Sequence, residues 1–353
     1  MSKPPLRPSI ETLPVYVPGK KASPGIGAFK LSSNESPFPP LPGVLAAVID
    51  AASDLNRYPD PACGDLIKAL AQFHGVESTQ IAVAPGSLAA LNAMMLAYCG
   101  EGSEVVYPWR SFEAYPILAG LSGAKSVTVP LGDGGRLDLK ALANAITPAT
   151  RVVMICTPNN PTGPSVWHRD FVTFMGQVPD DVLVAVDQAY AEFVDDPKAV
   201  RPLELLADWP NLVVFRTFSK AYGLAGLRLG YAIGPGEVIR AIRSATLPFS
   251  VSAVAQMAAL VSLDRQDEMR SRVAQIAKVR GLLRQGLLDQ GWAVPVSDGN
   301  FVWLEAGEQA TPLAEACANA GATVRSFAGD GVRISAGEPE SIERILDVTE
   351  SWI

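Results

Sequence analysis

Seven short apolar runs follow one another between residues 80 and 234: QIAVAPG, EVVYP, SVTVPL, RVVMICTP, DVLVAVD, NLVVFRTFS and GYAIG. They are rich in β-branched residues and apolar at successive positions, which a strand can be only when both its faces are buried. Between most of them lie helical patterns such as LAALNAMMLAY, LDLKALANAI and HRDFVTFMGQV. This alternation predicts an α/β fold, a mainly parallel seven-stranded sheet with helices on both faces. The chain has 353 residues, 48% of them hydrophobic, which is enough for a large core and suggests two or three domains.

After about residue 245 the pattern changes. One long helix is predicted from about Val254 to Gln290, then two short strands in FVWLEAG and GVRISAG, then a last helix in EPESIERILDVTESWI. This reads as a smaller α+β domain. The first 30 residues are rich in Pro and Gly and read as an arm that packs on another domain or subunit. The expected division is an arm at 1–30, a large domain at 31–245 and a small one at 246–353.

Several functions are poor fits to this composition. The net charge is −7, the pI is near 5.0 and no basic run exceeds Lys20-Lys21, which argues against nucleic acid. A local cluster of arginines could still bind small anions. Neither a signal-type segment nor a run long enough to span a bilayer is present, so a cytoplasmic protein without a membrane partner is expected. Four scattered cysteines in no CxxC pattern argue against disulfides and structural zinc. There are only two histidines. His74 falls at an apparent helix end, where a cation suits the dipole, and His168 near a helix start. Both read as structural, so neither metal catalysis nor Ser–His–Asp hydrolysis is expected.

Polar residues collect where the strands end. Gly86-Ser87, Asn160, Asp187 and Lys220 each come at or just after the C-terminal end of a predicted strand, the rim where open α/β sheets bind ligands. Gly86 and Ser87 open a helix, and the turn is either an anion site or an ordinary serine cap. Arg228 could pair with the same anion. Thr217 and Ser219 are two apart, so in extended chain their hydroxyls share one side, with Phe218 and Lys220 on the other. Asp187, closing VLVAVD, is either a cap or salt-bridge partner or a carboxylate that holds a ring N–H. Tyr190 could reach the same ligand, and Asn160 sits in the rigid turn CTPNNPTG. A phosphate site, an acid for a ring nitrogen, polar groups for a ring hydroxyl and a lysine together describe pyridoxal 5′-phosphate.

PNNPTG, DQAYAEF and TFSKAYGLAGLRLGY, in this order, resemble the fold-type I aminotransferases, in particular the histidinol-phosphate aminotransferase subfamily. LPVYVPGK, LSSNESP and NRYPDP extend the likeness over nearly the whole chain. YVPGK, APGSLAAL, WRSFEAYP, RTFSKAYGLAGLR, NFVWL and GDGVRIS are closer to the actinobacterial aromatic amino acid aminotransferases. Leu88 and Ala89 stand where the histidinol-phosphate enzymes usually carry Asp-Glu, and Gln188 replaces a commoner Glu.

The resemblance implies a role for each matched position. Lys220 is the catalytic residue and covalent anchor of pyridoxal 5′-phosphate, and Asp187 pairs with the ring nitrogen. Asn160 and Tyr190 contact the ring hydroxyl, and Phe112 stacks on the ring. Gly86, Ser87, Thr217, Ser219 and Arg228 hold the phosphate. Tyr58 reaches the phosphate of a neighbouring subunit, which makes the active unit a homodimer. Arg333 grips the substrate carboxylate, Asn34 lies near the substrate, and Tyr16 and Arg325 lie where the histidinol-phosphate enzymes contact the substrate's distal end. Gln188 is expected to point away from the cofactor. The implied reaction exchanges aromatic L-amino acids with 2-oxoglutarate, histidinol phosphate being the alternative substrate.

Overall fold

The structure, a computed structural model, describes residues 4–11, 13, 15 and 28–353. The seven apolar runs become the strands β1 (Ile81–Ala84), β2 (Glu104–Trp109), β3 (Lys125–Pro130), β4 (Thr150–Cys156), β5 (Leu183–Asp187), β6 (Leu212–Thr217) and β7 (Gly230–Ile233). They form one sheet in the order β1-β7-β6-β5-β4-β2-β3. Strands β2 to β6 pair in parallel, and only β7 runs against its neighbours.

β4 shows why these runs are continuous. Val152 and Met154 enter the apolar layer beneath the helices Ser87–Tyr98, Tyr115–Ser122 and Gly236–Ala245. Val153 and Ile155 face the other way, into a layer with Phe171 and Phe174 of the helix His168–Met175. With both faces covered, a period of two leaves no place for a polar side chain until the strand ends.

A second, antiparallel sheet holds β8 (Phe301–Leu304), β9 (Arg325–Phe327) and β10 (Gly331–Ser335) in the order β9-β10-β8. Its core gathers Val302, Ile334, Leu313, Ile345, Leu283 and Leu287. Residues from the start of the chain join it: Phe29–Lys30 pairs in parallel with Ala322–Thr323, and Leu31 enters the same core. The helix Gln266–Gln290 spans the two halves. Its Met269, Val273 and Ile276 pack with the large sheet's residues, and its Leu283 and Leu287 with the small sheet's.

Two sequence expectations are corrected. The single helix expected from Val254 to Gln290 is two, Ala253–Leu263 and Gln266–Gln290. Arg265 leaves the helical region at φ −113°, ψ 41°, and Asp267 and Glu268 favour a new N-terminus in the turn that follows. His74 is not a cation at a helix end. Burial, reinforced by the charge of Arg216, lowers its pKa to about 3, and its Nε2 is 2.9 Å from the Tyr231 hydroxyl. Among the described residues no helix is long and apolar enough to cross a membrane, and the four cysteines are free thiols.

The start of β7 touches the turn before the helix Ser87–Tyr98. A Cβ at Gly230 would lie 2.1 Å from the Ser87 amide nitrogen and 2.8 Å from its Cα, both backbone atoms. Gly230→Ala must push the strand and the turn apart. The variant is expected to lose about 2–3 kcal/mol of stability, as other overpacked sites do. Urea unfolding measures it, and a loss below about 0.5 kcal/mol would show that the two backbones are not held together.

Candidate active site

A cavity of about 400 Å³ opens at the C-terminal ends of β4, β5 and β6. It brings together Ser87, Phe112, Asn160, Asp187, Tyr190, Thr217, Ser219, Lys220, Arg228, Arg325 and Arg333, which the sequence scatters over more than 240 positions. A larger cavity of about 590 Å³ lies elsewhere, walled by Arg136, Trp167 and Arg169, and none of these groups lines it.

Asp187 ends β5 between Cys156 of β4 and Phe215 of β6. Its Oδ1 accepts from the Ala189 amide at 3.2 Å and its Oδ2 from the Tyr115 hydroxyl at 3.0 Å. Burial raises its pKa to about 6, against the pull of those two donors and of Lys220. The neighbouring Cys156 thiol is pushed up to about 12, chiefly by burial, and stays protonated.

Lys220 follows β6. Its Nζ donates to the Ser33 carbonyl at 3.2 Å and lies 5.8 Å from the centre of the Tyr190 ring. Burial, aided by the positive charge of Arg333, lowers its pKa to about 7. Thr217 Oγ1 donates to Ser219 Oγ at 3.0 Å, so those hydroxyls do share a side. Lys220, expected opposite them, enters the same cavity, while Phe218 stays in the core. The chain is no longer extended there: Leu224 N returns to Phe218 O and Gly223 N to Lys220 O, closing a turn.

Gly86 precedes the helix Ser87–Tyr98 at φ 94°. A Cβ there would meet Arg228 Nη2 at 2.7 Å, so the absent side chain leaves room for that guanidinium at the helix N-terminus. Free amides of the first helical turn and the arginine together form a cradle for an anion.

The β9–β10 hairpin supplies two arginines. Arg333 is buried and donates Nη1 to Asn160 Oδ1 at 2.6 Å and Nη2 to the Ser32 carbonyl at 2.7 Å. Arg325 is held by Glu113 through Nε at 3.2 Å and Nη2 at 2.8 Å. Asn34 is fully buried behind the cavity wall, with Nδ2 donating to the Tyr190 hydroxyl and Oδ1 accepting from Ser335. Gln188 lies outside the cavity and accepts from Arg216 Nε at 3.1 Å. Tyr58 is also outside it, 84% exposed, with its ring 4.8 Å from that of Phe249. Tyr16 falls outside the described residues. Sequence reasoning missed Tyr115, Glu113 and the Ser33 carbonyl. Among the described residues no group of His, Cys, Asp and Glu could hold a metal ion.

The model of the family "Aminotransferase class I and II" matches residues 27–348. This chain belongs to that family. It is 47% identical to the aromatic amino acid aminotransferase of Streptomyces coelicolor, over 99% of this chain and 98% of that one. Its identity to the protein of the same name from Thermobifida fusca is 48%, with equal coverage. The structure superposes on the histidinol-phosphate aminotransferase of Sinorhizobium meliloti, solved in complex with pyridoxal 5′-phosphate, with a TM-score of 0.89. That match is 30% identical in sequence and covers 100% of this chain and 99% of the other.

The chain is thus a fold-type I aminotransferase that uses pyridoxal 5′-phosphate, and its substrates are amino acids and 2-oxo acids. The residues present fit that cofactor. The Gly86–Arg228 cradle suits a phosphate, buried Asp187 suits a ring nitrogen, and Lys220 offers an amine with a lowered pKa.

Lys220 also links the site to stability. Its folded pKa lies below the ordinary lysine value, so between about pH 7 and 10.5 the unfolded chain binds more protons than the folded one. In cofactor-free protein this contribution to stability therefore rises with pH across that window and is smallest at its acid end. Lys220→Met is expected to flatten the rise. Urea midpoints of both proteins across the window check it, and identical pH profiles would refute it.

Proposed function

We propose that this aminotransferase exchanges the amino group of aromatic L-amino acids with 2-oxoglutarate. The observation that carries the reading is the cavity wall. Phe112, Leu88 and Ala225 line the same cavity as Arg333, so the cavity offers apolar surface for a ring together with a guanidinium for a carboxylate. The Streptomyces coelicolor and Thermobifida fusca relatives, whose names specify aromatic amino acids, support it.

Pyridoxal 5′-phosphate, when bound, supplies a carbonyl carbon for covalent attachment of an amine and a ring that takes up electron density from the substrate α-carbon. In this reading Lys220 is its anchor, and Lys220 Nζ, with a pKa near 7, takes the α-proton as general base. Asp187 holds the ring nitrogen's proton, and Tyr115 and the Ala189 amide favour the carboxylate form that does so. Gly86, Ser87, Ser219 and Arg228 bind the phosphate, with Thr217 bracing Ser219. Asn160 gives its carbonyl oxygen to Arg333, which turns its amide nitrogen the other way, and with Tyr190 it would serve the ring hydroxyl. Phe112 covers one face of the ring, and Arg333 binds the substrate carboxylate in two-pronged fashion.

The division into an arm at 1–30, a large unit at 31–245 and a small one at 246–353 belongs to the same proposal, except that residues 29–31 pack with the small unit; so does a homodimer. Exposed Tyr58, with exposed Phe249 and Leu247 nearby, supports a subunit contact there.

Two measurements test the reading. Phenylalanine is expected to give phenylpyruvate with a kcat/KM at least about tenfold above that for histidinol phosphate, roughly the discrimination that one site interaction provides. The reverse preference would overturn the assignment. Borohydride reduction should fix the cofactor on the peptide that contains Lys220, and Lys220→Ala should lose both this label and about 10³-fold or more of the activity. Label on another peptide would remove Lys220 from its role.

A further inference from the structure

Arg325 and Arg333 face each other across the antiparallel β9–β10 pair, and both line the cavity. Cβ atoms of such opposed residues are roughly 4.5–5.5 Å apart, and like charges there repel. The two arginines have different partners. Arg333 reaches two uncharged oxygens, on Asn160 and Ser32. Arg325 is gripped by a carboxylate: Nε donates to Glu113 Oε2 at 3.2 Å, and Nη2 to Oε1 at 3.0 Å and Oε2 at 2.8 Å. The side chains of this pair are only 13% and 28% exposed, so water and salt screen it weakly. Glu113 comes from the same turn that brings Phe112 to the cavity, and it lines that cavity itself. Of the two other carboxylates that line the cavity, Glu35 is engaged by Lys30 at 2.8 Å, and Asp187 by the Tyr115 hydroxyl and the Ala189 amide.

We propose that Glu113 is a specificity-determining residue: by holding Arg325 it takes one positive charge out of the cavity and sets the balance between substrates with an uncharged side chain and substrates with a second anionic group. An uncharged ring leaves the Glu113–Arg325 pair intact. A distal carboxylate or phosphate must either lie beside the Glu113 carboxylate or displace it from the guanidinium, and both are unfavourable. The second carboxylate of 2-oxoglutarate and the phosphate of histidinol phosphate meet this same barrier, whereas a phenylalanine side chain does not. The inference rests on reading the cavity as the substrate site, and it names the feature of the substrate that the site senses.

The test uses holoenzyme and two unreactive ligands, 3-phenylpropionate with one carboxylate and a ring, and glutarate with two carboxylates. Dissociation constants come from calorimetry, so the readout does not depend on turnover. Glu113→Gln is expected to shift the ratio of the two constants about tenfold in favour of glutarate, the size expected for one partly buried charge. Glu113→Asp, which keeps the carboxylate, should shift it much less. In an Arg325→Gln background the shift caused by Glu113→Gln should shrink to the part due to relieved repulsion, since no guanidinium remains to be released. A ratio that stays within about twofold in Glu113→Gln, or that shifts equally with and without Arg325, overturns the proposal. Should the unaltered holoenzyme bind neither ligand, the reading of the cavity falls along with it. If both bind and the ratio does not move, only the role of Glu113 falls.

Discussion

The site depends on keeping a carboxylate and an amine out of water without letting either drift from the other. Asp187 ends a strand whose residues are all buried, and Lys220 follows the next strand along. Burial pushes both toward their neutral forms, the acid up to about 6 and the amine down to about 7. Isolated buried charges of this kind are costly, and the protein offsets the cost with specific partners. Tyr115 and the Ala189 amide donate to the acid, and the Ser33 carbonyl accepts from the amine. An apolar cavity would lack the chemistry, while a wet one would leave Lys220 fully charged.

Charge in this molecule is arranged locally, against its average. The chain carries a net −7, yet the cavity wall presents Lys220, Arg228 and Arg333, with Arg325 paired to Glu113. Each arginine is positioned by a different device. Arg228 fits where Gly86 has no side chain, Arg333 is held by a side-chain amide and a backbone carbonyl, and Arg325 by a carboxylate. Small anions can therefore be bound by a protein whose overall charge would repel them.

The sheet was legible because burial on both faces of its inner strands forces continuous apolar runs, the edge strand β3 being mostly exposed, and polar residues at or just after the ends of several runs mark the rim. Asp187, Asn160, Gly86 and Lys220 could be picked out on that ground alone. Tyr115 could not: it opens a helix among apolar neighbours and reads as core, and its acceptor lies 72 residues away. Glu113 meets Arg325 across 212 residues, and a lone glutamate in a turn carries no signal of that partner. The Ser33 carbonyl is backbone, which no side-chain pattern reports. Local rules also failed where tertiary packing overrode them. His74 sits at a helix end that favours a cation, but burial keeps it neutral. The alternation rule put Lys220 on the wrong side, because the chain turns immediately after β6.

Leu31 is stitched between the short Phe29–Lys30/Ala322–Thr323 pair and the second sheet: its amide donates to Thr323 O at 2.8 Å and its carbonyl accepts from Ser335 N at 2.9 Å. The next two residues give their carbonyls to Arg333 and to Lys220. The segment is thus a short tether between the second sheet and the amine on the first. Were the small sheet to tilt by an ångström, the oxygen that holds Lys220 Nζ would be carried with it. The position of that nitrogen is therefore mechanically coupled to a sheet on which it does not reside.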